Sequence, residues 1–148
     1  MSTTLNRLMA EFAEKYGSSN PELTQEGCFE WHVDGRPVRF FESTGNVYMD
    51  AGLRKLPEDK QDRGDCIKIA LQASLANADS YADSLYIEVA DDTLCLYRCV
   101  PAASLSLHEF EGVFESFMHS LECLGELTGA TTSYGSRGPQ AMLPYGRL

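Results

Sequence analysis

Basic residues are scarce in this chain: twelve lysines and arginines stand against twenty-two aspartates and glutamates, a net charge of −10. No basic stripe relieves that balance. Phosphate backbones repel such a surface, so nucleic acid and anionic membrane are poor partners, and a basic protein fits better. The same acidity can equally serve only to keep the chain soluble. Long apolar runs are missing too. Charged residues interrupt the apolar positions of "MSTTLNRLMAEFAEKYG", which reads as neither signal peptide nor membrane span, so the chain is expected to be soluble and to stay inside the cell.

The signatures of catalysis are also lacking. No glycine cluster sits between a strand and a helix ahead of Lys-Ser/Thr, which argues against nucleotide hydrolysis. No nucleophile elbow, paired-carboxylate pattern or cofactor fingerprint is present, and the expectation is of no enzyme and no cofactor. Histidines number three, His32, His108 and His119, none of them in a recognisable motif. Acid–base chemistry would need one of them in a closed cleft, for example His32 meeting Cys28 and Glu30. The five cysteines, Cys28, Cys66, Cys95, Cys99 and Cys123, are an odd number scattered through apparent strands and helices. That suits a reducing cytoplasm and small buried side chains better than a disulfide framework. Cys95 and Cys99 lie four apart on a strand, about 13 Å, too far to share a zinc ion. His119 and Cys123, four apart on a helix, are within chelating reach, but two ligands do not make a structural zinc site, and no metal is expected.

What is present is enough apolar sequence for a single core. A chain of 148 residues buries roughly two-thirds of its extended surface without staples. Leu5, Leu8, Met9, Phe12 and Tyr16 fall at three-and-four spacing until Gly17, the mark of an amphipathic helix. A helix of roughly thirteen residues is marginal alone in water, so its stripe must dock on something. "CFEWHVDGRPVRFF" follows, two strands flanking Asp34-Gly35, a dipeptide that tolerates the positive φ angles of a two-residue turn. That turn pairs Val33 with Arg36, Trp31 with Val38, Phe29 with Phe40 and Glu30 with Arg39. A turn at Gly45-Asn46 leads into a third strand alternating Val47, Met49, Ala51 and Leu53.

After a polar loop, Asp62 or Asp65 offers a cap for a second helix, in which Ala70, Ala73, Ser74 and Ala78 interleave with Ile67, Leu71 and Leu75. Those small residues suit either close approach of another helix or ordinary packing on the chain's own sheet. "SLYIEVADDTLCLYRCV" reads as a second hairpin, with Leu85, Ile87 and Val89 on one face and Asp91-Asp92 as the turn. Ser106 and Glu109 form a capping box with Leu105 and Phe110 as its staple. Leu107, Phe110, Phe114, Phe117, Leu121 and Leu124 continue as an apolar seam that ends around Gly125 to Gly129. The fold class is α+β, in the order helix, three strands, helix, two strands, helix, with a twisted antiparallel sheet. Residues 1–129 form one domain, and 130–148, rich in Gly, Pro, Ser and Thr, form a flexible tail.

Between Leu5 and Leu127 this order resembles the class I type III secretion chaperones, the Tir chaperone family. The resemblance is carried by "LNRLMAEFAEKYG", the hairpin, "VYMDAGL", "CIKIALQASLANA", "SLYIEVADDTLCLYR" and "LHEFEGVFESFMHSLECL". It implies a bacterial cytoplasmic homodimer that binds the N-terminal region of a secreted effector, keeps it extended and delivers it to the secretion apparatus, with the secretion ATPase as a further partner. It also implies residue roles. Leu5, Leu8, Met9, Phe12, Phe29, Trp31, Val38, Phe40, Val47 and Met49 would contact the effector, and Ile67, Ala70, Leu71, Ser74, Leu85, Ile87 and Val89 the second subunit. The alternative is an acidic immunity or antitoxin-type protein that blocks a folded basic partner.

Overall fold

The computed structural model describes residues 4–16, 22–23, 28–33, 35–76 and 83–137. The chain runs α1 (Thr4–Tyr16), β1 (Glu22–Leu23), β2 (Phe29–Val33), β3 (Arg36–Ser43), β4 (Asn46–Lys55), α2 (Lys60–Ala76), β5 (Asp83–Glu88), β6 (Thr93–Pro101) and α3 (Leu107–Arg137). Its strands form one antiparallel sheet ordered β1-β2-β3-β4-β6-β5. This is the expected α+β order with one addition. β1, two residues long, pairs with β2 at the sheet edge and is too short to leave a periodic trace in the sequence.

Turn chemistry sets the registers. The β2–β3 pairing joins Val33 to Arg36, Trp31 to Val38, Phe29 to Phe40 and Glu30 to Arg39, as the spacing predicts. Gly35 takes φ +81°, while Asp34 lies outside the described residues. The β3–β4 turn falls one residue earlier than expected. Thr44 (φ 48°) and Gly45 (φ 81°) are its two central residues, and Ser43 pairs with Asn46. A type I′ loop needs positive φ at both positions, and here a β-branched threonine supplies one of them at a steric cost.

Two further boundaries move. α2 begins at Lys60, capped by Asp59, whose Oδ2 accepts from the Asp62 amide at 3.0 Å. Neither Asp62 nor Asp65 is the cap, because the polar residues read as loop already form the first turn. Val89 is not a strand residue. β5 stops at Glu88, which pairs with Thr93, and 89–92 make a four-residue turn with Asp92 at φ 55°, held by Arg63 at 2.6 Å. An aspartate tolerates that left-handed conformation, so the loop opens two residues earlier and lifts Val89 into solvent.

All three helices pack on one face of the sheet. Phe40, Phe110 and Phe117 are fully buried there, with Leu8, Met49, Leu96 and Leu121 around them. Phe12 of α1 sets its ring edge-on against Trp31, Phe110 and Phe114, and Trp31 stacks on Phe114 at 5.3 Å. Fully burying each such side chain contributes about 1.5–3 kcal/mol, which anchors a helix too short to persist alone. The capping box forms as read: Ser106 Oγ accepts from the Glu109 amide at 3.1 Å, and Glu109 Oε1 accepts from the Ser106 amide at 3.1 Å.

One ion pair lies inside this core. Arg98 of β6 and Asp83 of β5 meet through two bonds of 2.6 and 2.9 Å, and Arg98 Nη1 donates to the Val113 carbonyl at 3.3 Å. The edge strand is thereby fastened to α3. α3 itself runs past Gly125 and Gly129 to Arg137 instead of ending between them. Neither glycine has the positive φ of a helix stop. Thr128, fully buried, donates from Oγ1 to the Leu124 carbonyl at 2.8 Å, and Arg54 donates to the Thr128 carbonyl at 3.0 Å, which holds this stretch helical. Residues 138–148 of the expected tail lie outside the described residues.

Candidate functional site

The side chains expected to meet an effector are mostly inside. Leu5, Leu8, Met9, Phe12, Val38, Phe40, Val47 and Met49 are buried, and Phe29 and Trp31 are half-buried against the same cluster. The helix stripe and the sheet stripe were each read correctly as apolar, but they satisfy one another. In this conformation those eight buried residues present no surface to a partner.

The residues expected at a subunit contact divide. Ala70 is buried, and Ile67, Leu85 and Ile87 are half-buried against the core. Ser74 is half-buried, whereas Leu71 is 49 % and Val89 86 % exposed. Leu75, which precedes the undescribed Ala78, is 74 % exposed. β5 is the last strand of the sheet, so beside it one helix edge and one turn offer apolar side chains to solvent.

The larger unassigned surface is the other face of the sheet. Strand alternation places Phe41, Tyr48, Tyr97 and Tyr86 there, one each on β3, β4, β6 and β5. Phe41 and Tyr48 stack at 4.8 Å, Tyr48 and Tyr97 lie 6.3 Å apart, and Tyr97 and Tyr86 lie 5.8 Å apart. The rings make one diagonal across four strands, and no described helix lies over it. All four are half-buried. Sequence reading passed over them because it followed the aliphatic parity of each strand. The signal was there: the intervening positions of "RFFES", "VYMDA" and "LYIE" each include a ring among the polar residues expected of a solvated sheet face.

A polar cluster is set into this face. Asp50 is buried and accepts two bonds, from Tyr86 Oη at 2.7 Å and from Arg39 Nη2 at 2.6 Å. Burial, then the bond to Asp50 and its negative charge, push the Tyr86 phenol far above its ordinary range. Burial alone would lower the Arg39 guanidinium, but Asp50 and Tyr86 outweigh it and raise it. Cys95, alongside, is raised chiefly by burial and is an inert thiol at neutral pH.

The remaining candidates for chemistry stay apart. His32 Nε2 lies 3.5 Å from Glu30 on an exposed strand position, not in a closed cleft. Cys123 Sγ meets His119 Nε2 at 3.7 Å on α3, and no group of three possible metal ligands occurs among the described residues. None of the five cysteines is in a disulfide. Only Cys66 and Cys95 are buried, so Cys28, Cys99 and Cys123 depart from the expectation of fully buried side chains. A 640 Å³ cleft lies between the end of β6 and the start of α3, but Arg98 at its edge is already committed to Asp83. No described helix is long and apolar enough to cross a membrane.

This architecture, three helices on one side of an antiparallel sheet, is that of the secretion chaperones. The chain belongs to the Tir chaperone protein (CesT) family, whose profile matches residues 7–124. Solved structures of the same fold include that of the ExsC–ExsE complex, 22 % identical over 86 % of this chain and 97 % of that one, with a TM-score of 0.67. A second is the HopA1–SchA chaperone–effector complex, 13 % identical over 83 % and 94 %, TM-score 0.62. A third is the Yersinia pestis type III secretion chaperone SycH bound to a stable fragment of YscM2, 18 % identical over 82 % and 99 %, TM-score 0.59. A search of curated protein sequences finds no match.

Proposed function

We propose that the protein is a type III secretion chaperone that binds the N-terminal region of an effector, holds it extended, and delivers it from the bacterial cytoplasm to the secretion apparatus and its ATPase. The observation that carries this reading is the ring-lined sheet face of a chain that belongs to this family. Tyrosine rings suit the task, since each offers a rigid apolar body and a hydroxyl that tolerates water when the face is empty. The effector contact therefore moves from the buried set to Phe41, Tyr48, Tyr97 and Tyr86. Ordering an unfolded client costs free energy, so a large contact area is required, and a dimer supplies it twice. Leu71, Leu75 and Val89, together with the outer edge of β5, supply the dimer contact in this reading.

Co-purification from the native cytoplasm followed by limited proteolysis tests it. A protected, non-globular N-terminal segment of the partner is expected. A compact partner, catalytically competent but blocked, would overturn the chaperone reading in favour of an immunity-type inhibitor. Light scattering should give about twice the 16.4 kDa chain mass.

A further inference from the structure

Arg39 stands in the middle of the ring face with part of its guanidinium unused. Its Nη2 donates to Asp50 at 2.6 Å and approaches the Tyr86 hydroxyl at 3.4 Å, while Nε and Nη1 have no partner among the described residues. The group is 38 % exposed. Its position is nonetheless fixed, because Asp50 is buried and held from its other oxygen by Tyr86. Glu30, the cross-strand neighbour, is engaged with His32. The other described strand arginines point elsewhere: Arg36 lies near Gly125 of α3, Arg54 bonds the Thr128 carbonyl, and Arg98 is bound to Asp83. Arg39 is thus the one guanidinium on this face among the described residues.

We propose that Arg39 reads a carboxylate: the client segment crossing this face carries an aspartate or glutamate that accepts from the guanidinium's unused N–H donors, flanked by apolar side chains that rest on Tyr48 and Tyr97. The inference rests on the reading of this face as the client site. A guanidinium held in place with N–H donors to spare attracts a carboxylate and repels an ammonium. The acidic remainder of the surface attracts a basic client at long range, whereas this single fixed cation sets where along the client the face engages. Apolar contacts on the rings tolerate sliding by two residues; a charge buried beneath the client does not.

The test uses the full-length protein and three fluorescein-labelled thirteen-residue peptides of alternating leucine and serine that differ only in a central Glu, Gln or Lys. Fluorescence anisotropy should show the Glu peptide binding on the order of tenfold or more tighter than the Gln peptide, as expected for a hydrogen-bonded charge. Arg39→Met should erase that difference. Because this variant strips Asp50 of its cation, Arg39→Lys is measured beside it. It keeps a charge against Asp50 but loses the guanidinium's spare, directionally fixed N–H donors, and should retain the fold by circular dichroism while losing most of the Glu preference. Equal binding of Glu and Gln peptides by the unaltered protein, or tightest binding of the Lys peptide, overturns the role of Arg39 and leaves the face reading standing. No binding of any peptide, or binding indifferent to Tyr48→Ser with Tyr97→Ser, overturns the face reading and this inference together.

Discussion

Breaking the buried pair of Arg98 and Asp83 should be among the most damaging single changes available in this chain. Both side chains are 7 % exposed, and the guanidinium bonds Asp83 twice and the Val113 carbonyl once, with the Phe117 ring 6.0 Å away. Arg98→Met leaves a buried carboxylate without its cation and a carbonyl without its donor. Removing one partner of such a pair costs about 3–5 kcal/mol. For a chain of this length that corresponds to a fall in Tm on the order of 10 °C. Urea unfolding followed by circular dichroism, at a fixed protomer concentration so that association does not shift the midpoint, measures it. The double change Asp83→Leu with Arg98→Met should recover most of the loss, since an apolar pair of similar volume removes the desolvation cost. Raising the salt should not reproduce the loss, because a buried pair is poorly screened. A cost below about 1 kcal/mol for Arg98→Met, or a double variant worse than the single, would refute the claim that this pair fastens β5 to α3.

Other perturbations test separate parts of the structure. Ser106→Ala removes the acceptor of the Glu109 amide at the start of α3, and urea unfolding should show a loss of about 1 kcal/mol. Thr44→Asn places a residue more tolerant of the left-handed region at φ 48°, and should stabilise by up to about 1 kcal/mol in the same assay. Glu111 is held below the ordinary carboxylate range by bonds from Tyr16 and then Lys15, and those two groups are both raised, chiefly by Glu111. Its contribution is therefore complete above the ordinary carboxylate pKa and lost as pH falls through the lowered value; theirs is complete below their ordinary pKa values and lost as pH rises through the raised ones. Amide exchange at the C-terminal turn of α1, corrected for intrinsic rates, should accelerate at both extremes. Leu71→Asp with Leu75→Asp should convert the proposed dimer to a monomer by light scattering without unfolding it, since both side chains are largely exposed.

The sequence made the elements legible wherever local chemistry and tertiary demand agree. The hairpin register followed from Asp34-Gly35 and the matched apolar positions on either side, and the start of α3 followed from its capping box. Boundaries moved where two local rules competed. Asp59, Asp62 and Asp65 are all competent caps, and the first of them is used. Gly125 and Gly129 are glycines of the kind that end helices, but Arg54 reaches the Thr128 carbonyl from β4, across the fold, and no local rule contains that bond. The same limit governs the site. Whether the stripe of Leu5, Leu8, Met9 and Phe12 meets its own sheet or a client depends on what lies within reach, and the spacing of four residues says only that something must cover them.

The assignment of faces has a physical cause that the strands carry themselves. β3, β4, β5 and β6 each carry an aromatic ring on the side away from the helices, and three helices on one side leave that face uncovered. The two sides are unlike in chemistry. Val38, Phe40, Met49 and Leu96 have no polar atom and lose most by staying wet, so they take the helices. Three of the four rings opposite are tyrosines: Tyr86 gives its hydroxyl to the buried Asp50, and Tyr48 and Tyr97 carry hydroxyls that tolerate water. A face that merely had to be soluble would alternate charges there, and its cross-strand pairs would be worth only a fraction of a kcal/mol to the folded chain. Retaining Phe41, Tyr48, Tyr97 and Tyr86 in contact, around an arginine pinned by a buried aspartate, fits the proposed reading of this face as the surface for a polypeptide that arrives after folding is done.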